Sequence, residues 1–233
     1  MSSDDTVTIK LWSLPPSSNS GVIRSFLAVT GIPFEEDNAW GKTRTPEYIA
    51  KFPNHCAPAI EHGDVSVTET ATILRYLARA FPDKAGKYYP YDDVVQAAKV
   101  DMICDMINTG MCTYLPKAIY PTLSFPVYPG DVGAIDELKE KYTDVAAKAA
   151  QEALFEYLNN KVVGIFLKDT KFLLSDEPTI ADFRFAPMLS QIKCSSLDLP
   201  ERLVEYEAAM KELPGYADAV KPAEDYCSPF WKK

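Results

Sequence analysis

Two short stretches hold the residue types and spacing that binding chemistry needs. Ala57-Pro58-Ala59-Ile60 opens a strand-like run with a proline. If the Ala57-Pro58 peptide is cis, the backbone N–H and C=O of Ala57 are left unpaired by the sheet and free to bond an extended peptide. Val67-Thr68-Glu69-Thr70 then runs straight into a helical pattern. At such a helix start the Thr70 hydroxyl and nearby N–H groups hold a carboxylate, while Glu69 pairs with an amine. A ligand with an amino-acid head group and a peptide body satisfies both stretches. A third cluster, Ser13-Leu14-Pro15-Pro16-Ser17-Ser18-Asn19-Ser20-Gly21, is dense in turn formers, and Ser17, Ser18 and Ser20 have the chemistry of a loop that caps the next helix. His55 and Cys56 are both metal-ligand types, but two adjacent ligands without distant partners do not make a metal site.

The rest of the chain narrows the classes further. Its 233 residues suffice for one large or two modest domains, and 47% hydrophobic with 24% charged residues is an ordinary globular balance. The net charge of −9 repels a nucleic-acid backbone, and no basic patch offsets it. Five cysteines, at 56, 104, 112, 194 and 227, contain no C-x-x-C pair, which argues against a disulfide framework, a zinc site and a two-cysteine redox centre. No apolar run approaches the roughly 20 residues of a membrane span. The polar, acidic start Met1-Ser2-Ser3-Asp4-Asp5-Thr6 is unlike a signal peptide, so a cytoplasmic location is expected.

These residues need elements to position them. Alternation over Val7–Trp12 predicts a first strand, and Val22, Ile23, Phe26, Leu27 and Val29 predict a helix that begins near Ser20 and ends at Gly31. A short extended piece at Pro33–Glu36 and a helix capped by Thr45 with Pro46 at its first position follow. Ala59–Glu61 and Val65–Thr68 form a hairpin around His62-Gly63-Asp64, and a helix runs from there to Phe81-Pro82. The order β-α-β-α-β-β-α implies a mixed sheet with helices packed on it. Residues 1–83 are therefore one α/β domain, and 84–93, polar and broken by Gly and Pro, are a linker. Residues 94–233 form an all-α domain, with helical periodicity over 94–115, 134–158, 180–192, 203–213 and 216–220. Three prolines between Tyr120 and Gly130 place an irregular join after the first of these helices.

Ala57-Pro58-Ala59-Ile60 together with Glu69-Thr70-Ala71-Thr72-Ile73-Leu74-Arg75-Tyr76-Leu77 resembles the glutathione-binding half of cytosolic glutathione transferases, where Val-Pro-x-Leu and Glu-Ser-x-Ala-Ile-x-x-Tyr-Leu are usual. A second match, Asp176-Glu177-Pro178-Thr179-Ile180-Ala181-Asp182-Phe183, is similar to that family's helix-starting signature. In physical terms it is a capping box, Thr179 capping the helix and Asp182 reaching back to the Thr179 N–H. The resemblance runs from about Ile9 to Val220.

It implies a thioredoxin-like first domain with a mixed four-stranded sheet, a homodimer, and reduced glutathione as co-substrate, with no tightly bound cofactor or metal. The thiol-activating hydroxyl of the serine-type (theta- and tau-like) classes falls on Ser17, with Ser18 second and Ser13 third. Ala57, Pro58, Glu69 and Thr70 would hold glutathione. Lys42, Arg44, Lys51 and His55 are candidates for its glycyl carboxylate, although His55-Cys56-Ala57 stands where Gly-Lys-Val is commoner and the usual lysine contact is missing. Cys56 lies close enough to approach that ligand and is expected as a buried, inert thiol. The small electrophile would sit between the Ser13–Ser18 loop and the first helices of the second domain, against Trp12, Leu14, Met106 and Tyr114, with Met102, Met111 and Tyr120 as further apolar candidates and Phe230 and Trp231 as a cover. The implied activity is conjugation of glutathione to small hydrophobic electrophiles. The same motifs suit a catalytically silent binding module or a glutathione-dependent isomerase or peroxidase, and no nucleic-acid or membrane partner is expected.

Overall fold

The computed structural model describes residues 8–123 and 144–231. Strand β1 (Ile9–Ser13) leads to α1 (Ser18–Thr30), β2 (Phe34–Asn38), α2 (Pro46–Lys51), the hairpin β3 (Ala59–His62) and β4 (Val65–Thr68), and α3 (Thr70–Ala80). The sheet order is β2-β1-β3-β4, with β1 parallel to β2 and both other pairings antiparallel. Alternation in β1 sorts its side chains by face: Ile9, Leu11 and Ser13 are buried against α1 and α3, whereas Lys10 and Trp12 turn to the α2 side. The α/β half is thus a mixed four-stranded sheet covered on both faces, as expected.

A short helix α4 (Pro82–Ala85) and a single 3₁₀ turn lead into the helical half. It contains α5 (Val94–Met106), α6 (Cys112–Leu123), α7 (Asp144–Tyr157), α8 (Ile180–Phe185), α9 (Leu189–Ile192), α10 (Glu201–Lys211) and α11 (Tyr216–Cys227). No strand occurs there among the described residues. The Thr179–Asp182 capping box is present: Asp182 Oδ2 accepts the Thr179 N–H at 2.7 Å, and the Thr179 hydroxyl accepts the Ala181 N–H at 3.3 Å.

Several expectations need correction. The first helix begins at Ser18 rather than near Ser20, because the Pro15-Pro16 turn already closes at Ser17. The helix expected over 94–115 is split by a π-turn at Ile107–Met111, and the one over 180–192 by a 3₁₀ turn at Pro187. The last helix extends to Cys227 with Pro222 inside it. Residues 84–93 are no open linker: Ala85, Tyr88 and Tyr89 are buried, and the Tyr88 ring meets Phe26 of α1 and Phe183 of α8 edge-on at 5.7 and 5.3 Å. Gly86, Pro90 and the charged residues give the segment its polar, broken pattern, yet the tyrosine rings among them pack like any aromatic. The irregular join continues α6 as far as Leu123, and residues 124–143, which hold the rest of it and the start of the expected 134–158 helix, lie outside the described residues.

Candidate active site

The loop between β1 and α1 is built around two prolines. Leu14 C=O accepts the Ser17 N–H at 2.9 Å, closing a four-residue turn, and the Ser20 hydroxyl accepts the Leu14 N–H at 3.0 Å. Ser17 is the N-cap of α1, its Oγ accepting the Ser20 N–H at 3.4 Å. The three candidate serines have different surroundings. Ser13 is fully buried; its hydroxyl donates to Glu36 and accepts from Arg24 Nη2 at 3.3 Å. Ser18 is buried and donates to Gln191 Oε1 at 2.8 Å. Ser17 alone of the three is half-exposed, and its hydroxyl donates to no described residue. Burial pushes the Glu36 carboxyl up, but hydrogen bonds from Arg24 and Ser13 outweigh it and hold the group below the usual carboxylate range. Arg24 also donates to Ala219 C=O at 3.3 Å, so the floor of this loop is tied to α11. Next to Ser17, the Asn19 side-chain oxygen is buried without a hydrogen-bond partner. The sequence pattern alone did not single out Asn19, whose place within the Ser-rich helix start was the available signal.

The second part of the site is the loop before β3. The Ala57-Pro58 peptide is cis, and β3 begins at Ala59, so Ala57 lies beyond the last rung of the ladder. Tyr48 of α2 donates its hydroxyl to Cys56 C=O at 2.7 Å and fixes the loop from below. Glu69 precedes α3 at φ 66°, a region few non-glycine residues enter, and its Oε1 accepts from Asn54 Nδ2 at 3.2 Å. Thr70 is the first residue of α3. Glu69, Thr70 and the loop holding His55, Cys56, Ala57 and Pro58 are thus brought together. Cys56 was expected to be buried; it is exposed, with its Sγ donating to Asn54 C=O at 3.0 Å, because the tyrosine holds its backbone and not its side chain. Partial desolvation and then the Glu69 carboxylate push its thiol up, away from the thiolate.

The remaining candidates separate into two places. Lys42 Nζ lies 5.3 Å over the Trp12 ring, and Lys51 is paired with Glu61 at 2.6 Å, while Trp12 Nε1 donates to the same carboxyl at 2.7 Å. Trp12, Lys42, Tyr48, Lys51 and Phe52 line a groove of about 370 Å³ on the α2 face. Trp12 and Leu14 pack with Ala57 on the cluster of Ala39, Tyr48, Phe52 and Ala59, whereas Tyr114 packs against the main core, its ring tilted 45° to that of Tyr157 at 6.0 Å. Met106 C=O accepts from the Tyr157 hydroxyl at 3.0 Å. Trp12 and Leu14 thus pack on a different cluster from Tyr114, and alternation along β1 aims Trp12 toward α2. Met111 is wholly in the core, Met102 is exposed, and Trp231 is anchored to Ser190 C=O at 2.9 Å.

A mixed sheet of this order followed by a helical half, with a cis-proline loop facing a strained helix start, defines a thioredoxin-like domain joined to an all-helical one. The family described as "Glutathione S-transferase, N-terminal domain" matches residues 7–79. Glutathione S-transferase F10 of Arabidopsis thaliana is 30% identical over 152 residues, 60% of this chain and 67% of that protein. Glutathione S-transferase T1 of the same plant is 29% identical over 204 residues, 84% of this chain and 76% of that protein. Some other relatives are spanned over less than two thirds of their length. The theta class glutathione S-transferase of Xanthomonas axonopodis pv. citri, solved with glutathione bound, superposes with a TM-score of 0.77 at 20% identity, covering 92% of this chain and 98% of that one, and shows the same fold. The chain belongs to the glutathione S-transferase family.

Proposed function

We propose that this protein is a glutathione S-transferase in which Ser17 activates the thiol of reduced glutathione for attack on small hydrophobic electrophiles. The observation that carries the assignment is the state of the three serines: Ser13 and Ser18 already donate to Glu36 and Gln191, and Ser17 keeps its proton for a ligand. A sulfur placed at the Ser17 hydroxyl also sits at the positive end of a thirteen-residue helix. A free thiol has a pKa of about 8.5, and each unit of depression represents about 1.36 kcal/mol of preference for the anion. One hydroxyl donor and the helix terminus supply interaction of that order. Glu69 and Thr70 hold the γ-glutamyl end, the Ala57 backbone pairs with the peptide body as an added strand would, and Lys42 or Arg44 supplies positive charge toward the glycyl carboxylate, with Lys51 and His55 the other candidates for that contact. Homodimeric assembly, a cytoplasmic location and a role in removing reactive electrophiles are part of the same proposal, supported by family membership; no helix among the described residues is long and apolar enough to cross a membrane.

Ultraviolet titration of glutathione bound to the wild type and to Ser17→Ala reads the thiol pKa directly. A bound pKa below that of free glutathione, returned upward by Ser17→Ala, is the expected result. Binding with an unchanged thiol pKa would make the protein a silent binding module, and a lowered pKa indifferent to Ser17→Ala would move the role to another donor.

A further inference from the structure

The helical half holds a buried charge that no carboxylate meets. Arg184 of α8 is 4% exposed and enters no ion pair among the described residues. Its Nε donates to Asn108 Oδ1 at 2.9 Å, its Nη1 to Met188 Sδ at 3.4 Å and its Nη2 to Cys112 Sγ at 3.4 Å. Two of these acceptors are sulfur, a weak acceptor, and the guanidinium's other two N–H groups donate to no described atom. The acidic side chains of the elements around it are engaged elsewhere. Asp101 and Asp105 of α5, which packs on α8, pair with Arg75 at 2.6 and 3.6 Å, and Asp182 holds Thr179, Leu173 and Tyr206. Burying a cation is costly unless an anion meets it. Arg24, the other buried arginine among the described residues, has Glu36 for that purpose.

We propose that Arg184 anchors a carboxylate carried by the electrophile, so that the transferase favours aromatic acids over their neutral counterparts. This rests on the role given to Ser17 above. An opening and ring surface lie beside the guanidinium: Asn108 is exposed, and Cys112, Tyr114 and Tyr157 are half-exposed. The Tyr114 and Tyr157 rings are 6.0 Å apart, and the Tyr157 ring lies against Gly110, two residues before Cys112. The direction to Ser17 follows from helical spacing. Arg184, Met188 and Gln191 stand at i, i+4 and i+7, on one face of the run through α8 and α9, and Gln191 accepts the Ser18 hydroxyl at 2.8 Å. Seven residues of helix rise about 10 Å, which a sulfur at Ser17, a benzene ring and a carboxylate para to the point of attack can span. With a chloroarene, the glutathione sulfur bonds to the ring carbon, the carbon–chlorine bond breaks, chloride leaves and the thiol proton goes to solvent. The carboxylate takes no part in that exchange; it holds the ring in place and displaces the sulfur acceptors from Arg184.

The test gives the full chain reduced glutathione and either a chlorodinitrobenzoate with its carboxylate para to chlorine or the matching benzamide, each kcat/KM being divided by the uncatalysed rate. The acid should be favoured about tenfold or more, the worth of one hydrogen bond to a charged group. Arg184→Gln should abolish that preference and Arg184→Lys retain part of it. In the wild type without turnover, dinitrobenzoate lacking the chlorine should slow alkylation of Cys112 by iodoacetamide and leave that of Cys56 as it was, as read by mass spectrometry. The inference is overturned if the acid gains nothing over the amide, if Arg184→Gln keeps the preference, or if dinitrobenzoate leaves Cys112 equally reactive. Turnover of neither compound, with the thiol pKa of bound glutathione unchanged, overturns the transferase reading instead, and protection of Cys112 then decides by itself whether Arg184 binds the acid. That measurement needs no variant, so it also decides where a substitution at Arg184 unfolds the chain.

Discussion

Substitutions can separate the cap that Ser17 forms from the thiol activation proposed for it. As an N-cap its oxygen accepts the Ser20 N–H, and in the proposed role its proton goes to the ligand. Ser17→Ala loses both, and the missing cap costs about 1 kcal/mol; Ser17→Gly also loses the hydroxyl but costs only a few tenths as a cap. Both variants should lose about 10²-fold or more in kcat with an aryl halide electrophile, while thermal denaturation separates them, the glycine form being the more stable. Equal activity loss with unequal stability attributes the loss to the hydroxyl and not to fraying of α1. Glu69 presents the complementary case. Its positive φ stores strain, about 1–3 kcal/mol for a non-glycine residue, at the position proposed to hold glutathione. Glu69→Gly should raise KM for glutathione about tenfold or more without lowering Tm, and a clear fall in Tm would show that Glu69 serves the fold instead. The serine-rich run could be read from residue types alone, but the ranking within it could not. Which hydroxyl is already engaged depends on Glu36 and Gln191, 23 and 173 residues away from their serine partners.

At the scale of elements, the sheet order and the capping box were open to reading because local signals determine them: alternation, turn residues and a Thr–Asp spacing that specifies its own hydrogen bonds. The breaks in the helical half were hidden, since π- and 3₁₀-turns follow from packing and not from periodicity. Gly110 in the π-turn shows the cause. A Cβ there would stand 2.6 Å from the Tyr157 hydroxyl oxygen and 2.8 to 2.9 Å from its ring, and that hydroxyl is bound to Met106 C=O. Gly110→Ala must displace the ring and break the bond, a cost of about 1–3 kcal/mol visible as a lower urea midpoint. An unchanged midpoint would mean the ring moves freely and the close approach is incidental. In the α/β half, α2 acts through Tyr48, whose hydroxyl, pushed up to about 12 by burial and by the Cys56 thiol, stays protonated and bonded to Cys56 C=O across the working pH range. Tyr48→Phe leaves that carbonyl without its donor and loosens the loop before Pro58. KM for glutathione should rise a few fold with kcat nearly unchanged, whereas a fall in kcat alone would place Tyr48 nearer the chemistry.

Over the whole molecule, the two halves share one core, with Phe26, Tyr88 and Phe183 meeting ring to ring and Arg24 joining Glu36 of β2 to Ala219 of α11. Titration of groups buried in that core therefore acts on the stability of both halves. Asp182 is fully buried and holds Thr179, the Leu173 N–H at 2.9 Å and the Tyr206 hydroxyl at 3.1 Å. Desolvation outweighs these bonds and raises its carboxyl from 3.8 to about 6. Between those values the folded chain binds more protons than the unfolded one, so the contribution is full below pH 3.8 and is lost as pH rises through about 6. That difference between the folded and unfolded chain is worth up to about 3 kcal/mol. Glu36 and Glu61 act in the opposite sense. Burial is outweighed at Glu36 by Arg24 and Ser13, and at Glu61 by Lys51 and Trp12, so their stabilisation is present above pH 4.5 and fades as pH falls through their lowered values. The net charge of −9 adds self-repulsion that grows as carboxylates ionise. These three effects place the stability maximum near pH 5 and not at neutrality. Urea unfolding between pH 4 and 8 should show the midpoint falling from pH 5 to 7, and Asp182→Asn, less stable overall, should flatten that fall. A midpoint that climbs from pH 5 to 7 in the wild type would mean Asp182 is ionised within the core at mildly acid pH, with its four donors outweighing desolvation.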